Sequence, residues 1–165
     1  MYEPDRHGTN NLMLTGLSVE EDELIQSLIR EGVRFVVVGM SAAILQKAPG
    51  VTQDIDLWFD HGQIDLLSEA CRKVGATYYW RKTPPSISGP GIDQIDVVWH
   101  CDGLNDFTTE YERSLELEIA PGMILKVLPL ERIIVSKRAA GRRKDKAVLP
   151  MLQDVLKTLK GQKKK

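Results

Sequence analysis

Asp54-Ile55-Asp56-Leu57-Trp58-Phe59 places two carboxylates one residue apart inside an apolar run. A second segment, Ile95-Asp96-Val97-Val98-Trp99, repeats the setting with a third aspartate. Strand interiors ordinarily exclude aspartate, because its short side chain competes for backbone hydrogen bonds and resists burial. Side chains alternate along a strand, so Asp54 and Asp56 share one face while Ile55, Leu57 and Phe59 line the other. With the Asp96 strand beside this one, three hard oxygen ligands converge on a small volume. That donor set suits Mg²⁺, which takes a few carboxylates and keeps positions for water and nucleotide phosphates. The expectation is a metal-dependent phosphoryl- or nucleotidyl-transfer site.

Upstream, Arg34-Phe35-Val36-Val37-Val38 is too short for a helix and reads as a buried strand. It stops at Gly39, and Ser41-Ala42-Ala43-Ile44-Leu45-Gln46 reads as a helix start. Such a strand–Gly–helix junction offers backbone N–H groups, and here the Ser41 hydroxyl, to a phosphate. Before it, Ser18 with Glu21 forms a capping box, Leu24, Ile25, Leu28 and Ile29 keep helical spacing, and Gly32 is the stop. After it, Pro49-Gly50 breaks the helix. A second helix opens at His61 or Gly62, with Ile64, Leu66, Leu67, Ala70 and Val74 as its inner face and Gly75 as its end. Thr77-Tyr78-Tyr79-Trp80 is a strand candidate, residues 83–91 a loop that is either a lid over a cleft or a plain connection, and residues 102–111 irregular. Leu115-Glu116-Leu117-Glu118-Ile119 alternates as a strand, Pro121-Gly122 turns, and Ile124-Leu125-Lys126-Val127-Leu128 is the next strand. From Leu130 the period becomes helical, through Ile133, Ile134 and Lys137. A last amphipathic helix carries Val148, Leu152, Val155, Leu156 and Leu159, with Pro150 at its start or at a kink. The fold class expected is mixed α/β (α+β): a mixed sheet with flanking helices and a C-terminal helical elbow.

With 165 residues, 42% hydrophobic and 27% charged, the chain has the make-up of a globular domain. The expected organisation is a lead-in over residues 1–16, a single domain over 17–160, helical from about 129, and a basic tail over 161–165. Net charge is −1, but Lys137, Arg138, Arg142, Arg143, Lys144, Lys146, Lys157 and Lys160 crowd into the last third, which suits a polyanionic partner or a solvated face. Cys71 and Cys101 are too few for a zinc motif or disulfide framework, so reduced thiols and a cytoplasmic location are expected. No apolar run reaches the ~18–20 residues of a membrane span.

Lys137 lies on the apolar stripe of its helix, where it either aims at a triphosphate or snorkels at the helix end. Asp145 either pairs with Lys137 or Arg142, or caps the final helix. His7, His61 and His100 share no ligand or triad spacing, and no Gly-x-x-x-x-Gly-Lys-Ser/Thr loop is present.

The stretch Val38-Gly39-Met40-Ser41-Ala42-Ala43 followed by Gln53-Asp54-Ile55-Asp56-Leu57, and the later strand Asp96, resembles the signature of the DNA polymerase beta-like nucleotidyltransferase superfamily. Ser136-Lys137-Arg138-Ala139-Ala140-Gly141-Arg142-Arg143-Lys144-Asp145 is similar to the basic elbow of its abortive-infection-type toxin branch and minimal relatives. The resemblance implies that Asp54, Asp56 and Asp96 hold two Mg²⁺ ions, and that Asp96 orients or deprotonates an attacking hydroxyl. It further implies that Gly39 and Ser41 grip the β- and γ-phosphates, and that Lys137, Arg142, Lys144 and Asp145 serve the nucleotide. The implied reaction is transfer of a nucleoside monophosphate from an NTP to a hydroxyl of tRNA, a protein or a small molecule, with pyrophosphate leaving. Met40 stands where such chains carry a second Gly or a Ser. The alternative it opens is a degenerate member that acts by binding, as in a toxin–antitoxin pair.

Overall fold

A computed structural model of the chain describes residues 17–52 and 54–163. The expected lead-in over 1–16 and the last two residues of the basic tail lie outside the described residues. Helix α1 (Val19–Arg30) begins as the capping box predicts: Glu21 N donates to Ser18 Oγ at 3.0 Å, and Ser18 N donates to Glu21 Oε1 at 2.9 Å. It ends at Gly32, whose φ of +77° lets the chain reverse into the first strand.

Seven strands form one mixed sheet among the described residues: β1 (Phe35–Val38), β2 (Ile55–Phe59), β3 (Thr77–Tyr79), β4 (Ser86–Gly89), β5 (Ile92–Val98), β6 (Leu115–Ala120) and β7 (Met123–Val127). Their order is β3-β4-β5-β2-β1-β7-β6. The continuous apolar run of β1 is buried at every position because it is an interior strand, antiparallel to β2 and parallel to β7. Strand β2 runs parallel to β5 with Asp56 opposite Asp96, so the two aspartate segments do lie side by side.

Among the described residues, four α-helices lie between α1 and the last one. Helix α2 (Gly39–Leu45) starts at the glycine itself, two residues earlier than the composition suggests, and packs on β1, β2 and α5 (Leu130–Ala140). Gln46 locks that packing, its Nε2 donating to Leu128 O at 2.8 Å while its Oε1 accepts from Leu130 N at 2.9 Å. Helix α3 (Ile64–Lys73) follows a short 3₁₀ turn (His61–Gln63) and packs on α1. Its buried face is Leu67, Ala70 and Cys71. Ile64 and Leu66, expected inward, are exposed, since the buried face is centred on Leu67, Ala70 and Cys71 at helical spacing, with Ile64 at the helix start and Leu66 turned off that face. The last helix, α6 (Arg143–Lys163), packs on α5 and carries Pro150 in its interior, not at its start. Leu152 is fully buried there.

Two elements went unpredicted. The 83–91 segment is no loop throughout: β4 lies within it, paired to both β3 and β5, with Ile87 fully buried. Ser-Ile-Ser-Gly has no β-branched run, and pairing on two sides makes the strand. Residues 102–111, expected to be irregular, contain the start of α4 (Phe107–Arg113). Phe107 sets its ring edge-on to Trp58 at 5.6 Å. Glu110, the buried residue of α4, accepts from Arg132 Nη2 at 2.6 Å and from Asn105 N at 3.0 Å. Burial works to raise the Glu110 carboxyl, but Arg132 and Asn105 hold it below the ordinary range. Glu110→Ala is therefore expected to destabilise the protein by about 3 kcal/mol, by leaving Arg132 and the Asn105 N–H without their acceptor. Urea denaturation of the variant checks this, and a loss under 1 kcal/mol would show the pair to be incidental.

Candidate active site

The carboxylate site grows from the register of two strands, β2 and β5. Parallel neighbours in register point to the same face, so Asp56 and Asp96 meet across β2 and β5. Their side chains come within hydrogen-bonding reach of each other, an arrangement that favours a proton on one of the two carboxyls when no cation lies between them. Burial first, then the charges of Asp96 and Asp54, push the Asp56 carboxyl up to about 6, against a lowering pull from Lys137. Asp54 is exposed at the entrance to β2, on the same face. Two of the three expected carboxylates are thus joined directly, with the third at the mouth. Among the described residues, no group of three acidic, imidazole or thiol side chains is gathered tightly enough to hold an ion as it lies. The donor chemistry still fits Mg²⁺, which needs only one or two carboxylates when a substrate's phosphates complete its shell.

Gly39 stands against this pair. Its φ is +64°, and a Cβ there would come within 2.4 Å of Asp56 Oδ2. The turn between β1 and α2 therefore brings bare backbone up to the carboxylate, which no side chain permits. Ser41, expected to face a phosphate, points inward instead. It is fully buried, its hydroxyl donates to Val38 O at 2.9 Å, and it accepts from Asp56 N at 3.3 Å. Its observed work is to tie the glycine turn to β2 at the aspartate. The signal for this was present, since a serine three residues after a strand end commonly bonds back to the backbone. Met40 packs against the hydrophobic core.

The basic elbow closes the other side. Asp145, fully buried, accepts from Arg142 Nε at 2.7 Å and from Arg142 N at 3.2 Å, with Lys137 Nζ at 3.4 Å. Both readings open in the sequence are met, for the carboxylate caps the start of α6 and pairs with both cations. Burial works to raise the Asp145 carboxyl, but Arg142 and Lys137 hold it below the usual range. The Arg142 guanidinium is raised first by its bond to Asp145, against a lowering by burial, and then by the charges of Asp145, Asp102 and Asp56. Gly141, with φ +62°, makes the bend between α5 and α6 that brings these groups together. Lys144 is exposed on the first turn of α6. Cys101 adjoins the site, and burial pushes its thiol up to about 12, which leaves it inert as a nucleophile. Gln46 and the Glu110–Arg132 pair, which hold α5 in place, were not foreseeable because their partners are far away in the sequence.

Comparison with known proteins bears on this architecture. The fold is that of the nucleotidyltransferases. It is similar to ANT(2″)-Ia in complex with adenylyl-2″-tobramycin, with a TM-score of 0.57 and 14% identity over 82% of this chain and 86% of that one. It is similar also to the lincosamide antibiotic adenylyltransferase LnuA, at 0.56 and 12% identity over 82% and 96%. A nucleotidyltransferase-like antigenic protein from Paracoccidioides brasiliensis matches at 0.55 and 18% identity over 86% and 78%. By sequence, the chain belongs to the family described as Nucleotidyl transferase of unknown function (DUF2204), whose model matches residues 20–164. It is accordingly a transferase enzyme of the nucleotidyltransferase type. No curated protein sequence matches it. No helix among the described residues is long and apolar enough to cross a membrane.

Proposed function

We propose that the chain is a Mg²⁺-dependent enzyme that transfers a nucleoside monophosphate from an NTP to a hydroxyl acceptor and releases pyrophosphate. The observation that carries this reading is the Asp56–Asp96 pair, in register on adjacent strands and set against the bare backbone of Gly39. The adenylyl transfer named for ANT(2″)-Ia and LnuA supports it. Asp56 and Asp96 would hold the cation, with Asp54 at the mouth completing the donor set. Bound there, Mg²⁺ would offset the triphosphate's charge and stabilise the attacking and leaving oxygens.

The chain's own residues do the rest. The backbone of the Gly39 turn, brought up to Asp56 without a side chain, would offer its N–H groups to the β- and γ-phosphates. Lys137 and Arg142, held by Asp145, supply positive charge to the departing pyrophosphate, and Lys144 extends that charge outward. The acceptor oxygen forms its bond to the α-phosphorus as the bond from that phosphorus to the bridging oxygen breaks. The electron pair leaves with pyrophosphate, and the hydroxyl proton passes to Asp96. One domain over 17–160 does this work, in the cytoplasm, where the free thiols of Cys71 and Cys101 persist. Met40 packs against the hydrophobic core, which supports an active enzyme over a degenerate partner in a toxin–antitoxin pair.

Calorimetry of ATP, GTP, CTP and UTP with and without Mg²⁺ tests the reading. The wild type should bind one or more of them only with the cation, and the Asp54→Asn/Asp56→Asn double variant should not. A folded wild type that binds no NTP would overturn the proposal and leave the binding-partner reading.

A further inference from the structure

The β3–β4 connection carries Tyr79-Trp80-Arg81-Lys82, all exposed, with Trp80 at 62% and Tyr79 at 40%. Two neighbouring aromatic rings left at a surface ask for a partner, because each forgoes a large burial gain. Each ring here already has a cation on its face: Arg81 Cζ lies 4.5 Å from the Trp80 centroid and Lys82 Nζ 4.6 Å from that of Tyr79. Rings offering a flat face beside positive charge are what single-stranded nucleic acid recognises, through base stacking and phosphate contact together. A cationic acceptor would meet like charge on the same surface.

Register ties this patch to the carboxylates. Tyr79 pairs with Ser86, Ser86 with Asp96, and Asp96 with Asp56. Residues directly opposite across a sheet point to one face, so Tyr79 emerges on the face that carries the aspartates. It lies two strands from Asp96, about 10 Å at the usual strand spacing. That gap equals about three nucleotides at ~3.4 Å each.

We propose that residues 79–82 form the acceptor platform and that the acceptor is the single-stranded end of a polynucleotide. Its terminal hydroxyl reaches Asp96 while bases a few nucleotides back stack on Tyr79 and Trp80 and their phosphates meet Arg81 and Lys82. The inference rests on the transfer reading above, and the bonds made and broken are those of that reaction.

The test is fluorescence anisotropy with fluorescein-labelled 12-mers of oligo(U) and oligo(dT), and a blunt 12-base-pair duplex, in EDTA without NTP. The wild type is expected to bind the single strands more tightly than the duplex. Tyr79→Ala/Trp80→Ala should weaken that binding by about 10- to 100-fold, and Arg81→Gln/Lys82→Gln should flatten its salt dependence. Preference for oligo(U) assigns RNA, and parity assigns any single strand. Equal binding by the aromatic variant, equal binding of the duplex, or no binding of either strand by the wild type would overturn the platform. NTP calorimetry on the same wild-type protein separates the two readings. NTP bound without strand overturns the platform alone, and neither bound overturns the transfer reading with it.

Discussion

Asp56→Asn is expected to slow pyrophosphate release on the order of 10³-fold and, without metal, to make the protein more stable. The two effects have one origin. Asp56 shares a proton with Asp96 in a buried setting, and its carboxyl is raised from 3.8 to about 6. In the unfolded chain it ionises near its ordinary value, so between those two pH values the native state holds the extra proton. Native stability therefore falls as pH rises through that window, and above about 6 the full penalty is present. The rise corresponds to about 3 kcal/mol. Asparagine is uncharged and can donate to Asp96, so it removes the penalty without leaving the pair unbonded. The excess stability of Asp56→Asn over the wild type should be near zero at pH 3.5 and grow to about 3 kcal/mol by pH 7.5, in EDTA. Urea denaturation of both proteins across that range reads the difference, in which the other carboxylates cancel. Activity should fall on the order of 10³-fold, the several kcal/mol that a well-placed cation supplies. The proton on the pair also competes with the cation, so apparent Mg²⁺ affinity should climb as pH passes about 6. An excess stability that does not change with pH would mean the pair is not coupled, and the carboxylate site would lose its physical basis.

The reach of the sequence follows the range of each interaction. Elements set by local chemistry were readable: the Ser18–Glu21 capping box of α1, the Val36-Val37-Val38 run of β1 and the Leu130, Ile133, Ile134 stripe of α5 all took the form expected. The neighbouring placement of the Asp56 and Asp96 segments was also readable, since two apolar strands each bearing an aspartate are costly apart and useful together. What failed depended on distant partners. Strand β4 forms because β3 and β5 flank it, and its own residues carry almost no strand signal. Helix α4 is held by Arg132, which is remote in sequence. The inward bond of the Ser41 hydroxyl to Val38 O was legible as a local habit of serine, but its second bond, from Asp56 N, was not, because it depends on the glycine's positive φ turning the first residues of α2 back onto β2. The acceptor platform lay in plain view as Tyr79-Trp80-Arg81-Lys82, but its meaning came only from the register that sets Tyr79 in line with the aspartates.

Gly39→Ala should cost about 1–2 kcal/mol in stability and a great deal in activity, and Gly122→Ala should cost about the same in stability with none in activity. The two glycines share a left-handed backbone, with φ of +64° at Gly39 and +77° at Gly122. An alanine at either position pays about 1–2 kcal/mol for that conformation. They differ in what a methyl would meet. At Gly122, in the turn between β6 and β7, nothing lies within 4 Å, whereas at Gly39 the new Cβ would sit 2.4 Å from Asp56 Oδ2. That contact cannot stand, so the carboxylate or the turn must move. Asp56 is fixed by its backbone bond to Ser41 and its side-chain bond to Asp96, so relief comes by breaking the pair or lifting the turn away from it. Either response shifts a ligand or a phosphate-facing N–H by about 1 Å, which costs on the order of 10²-fold in rate. Melting temperatures lowered alike in both variants, with pyrophosphate release lost only in Gly39→Ala, would show that the glycine is required for the space beside Asp56. Unimpaired turnover in Gly39→Ala would mean that the turn yields without disturbing the site, and the close approach of backbone to carboxylate would have no part in the chemistry.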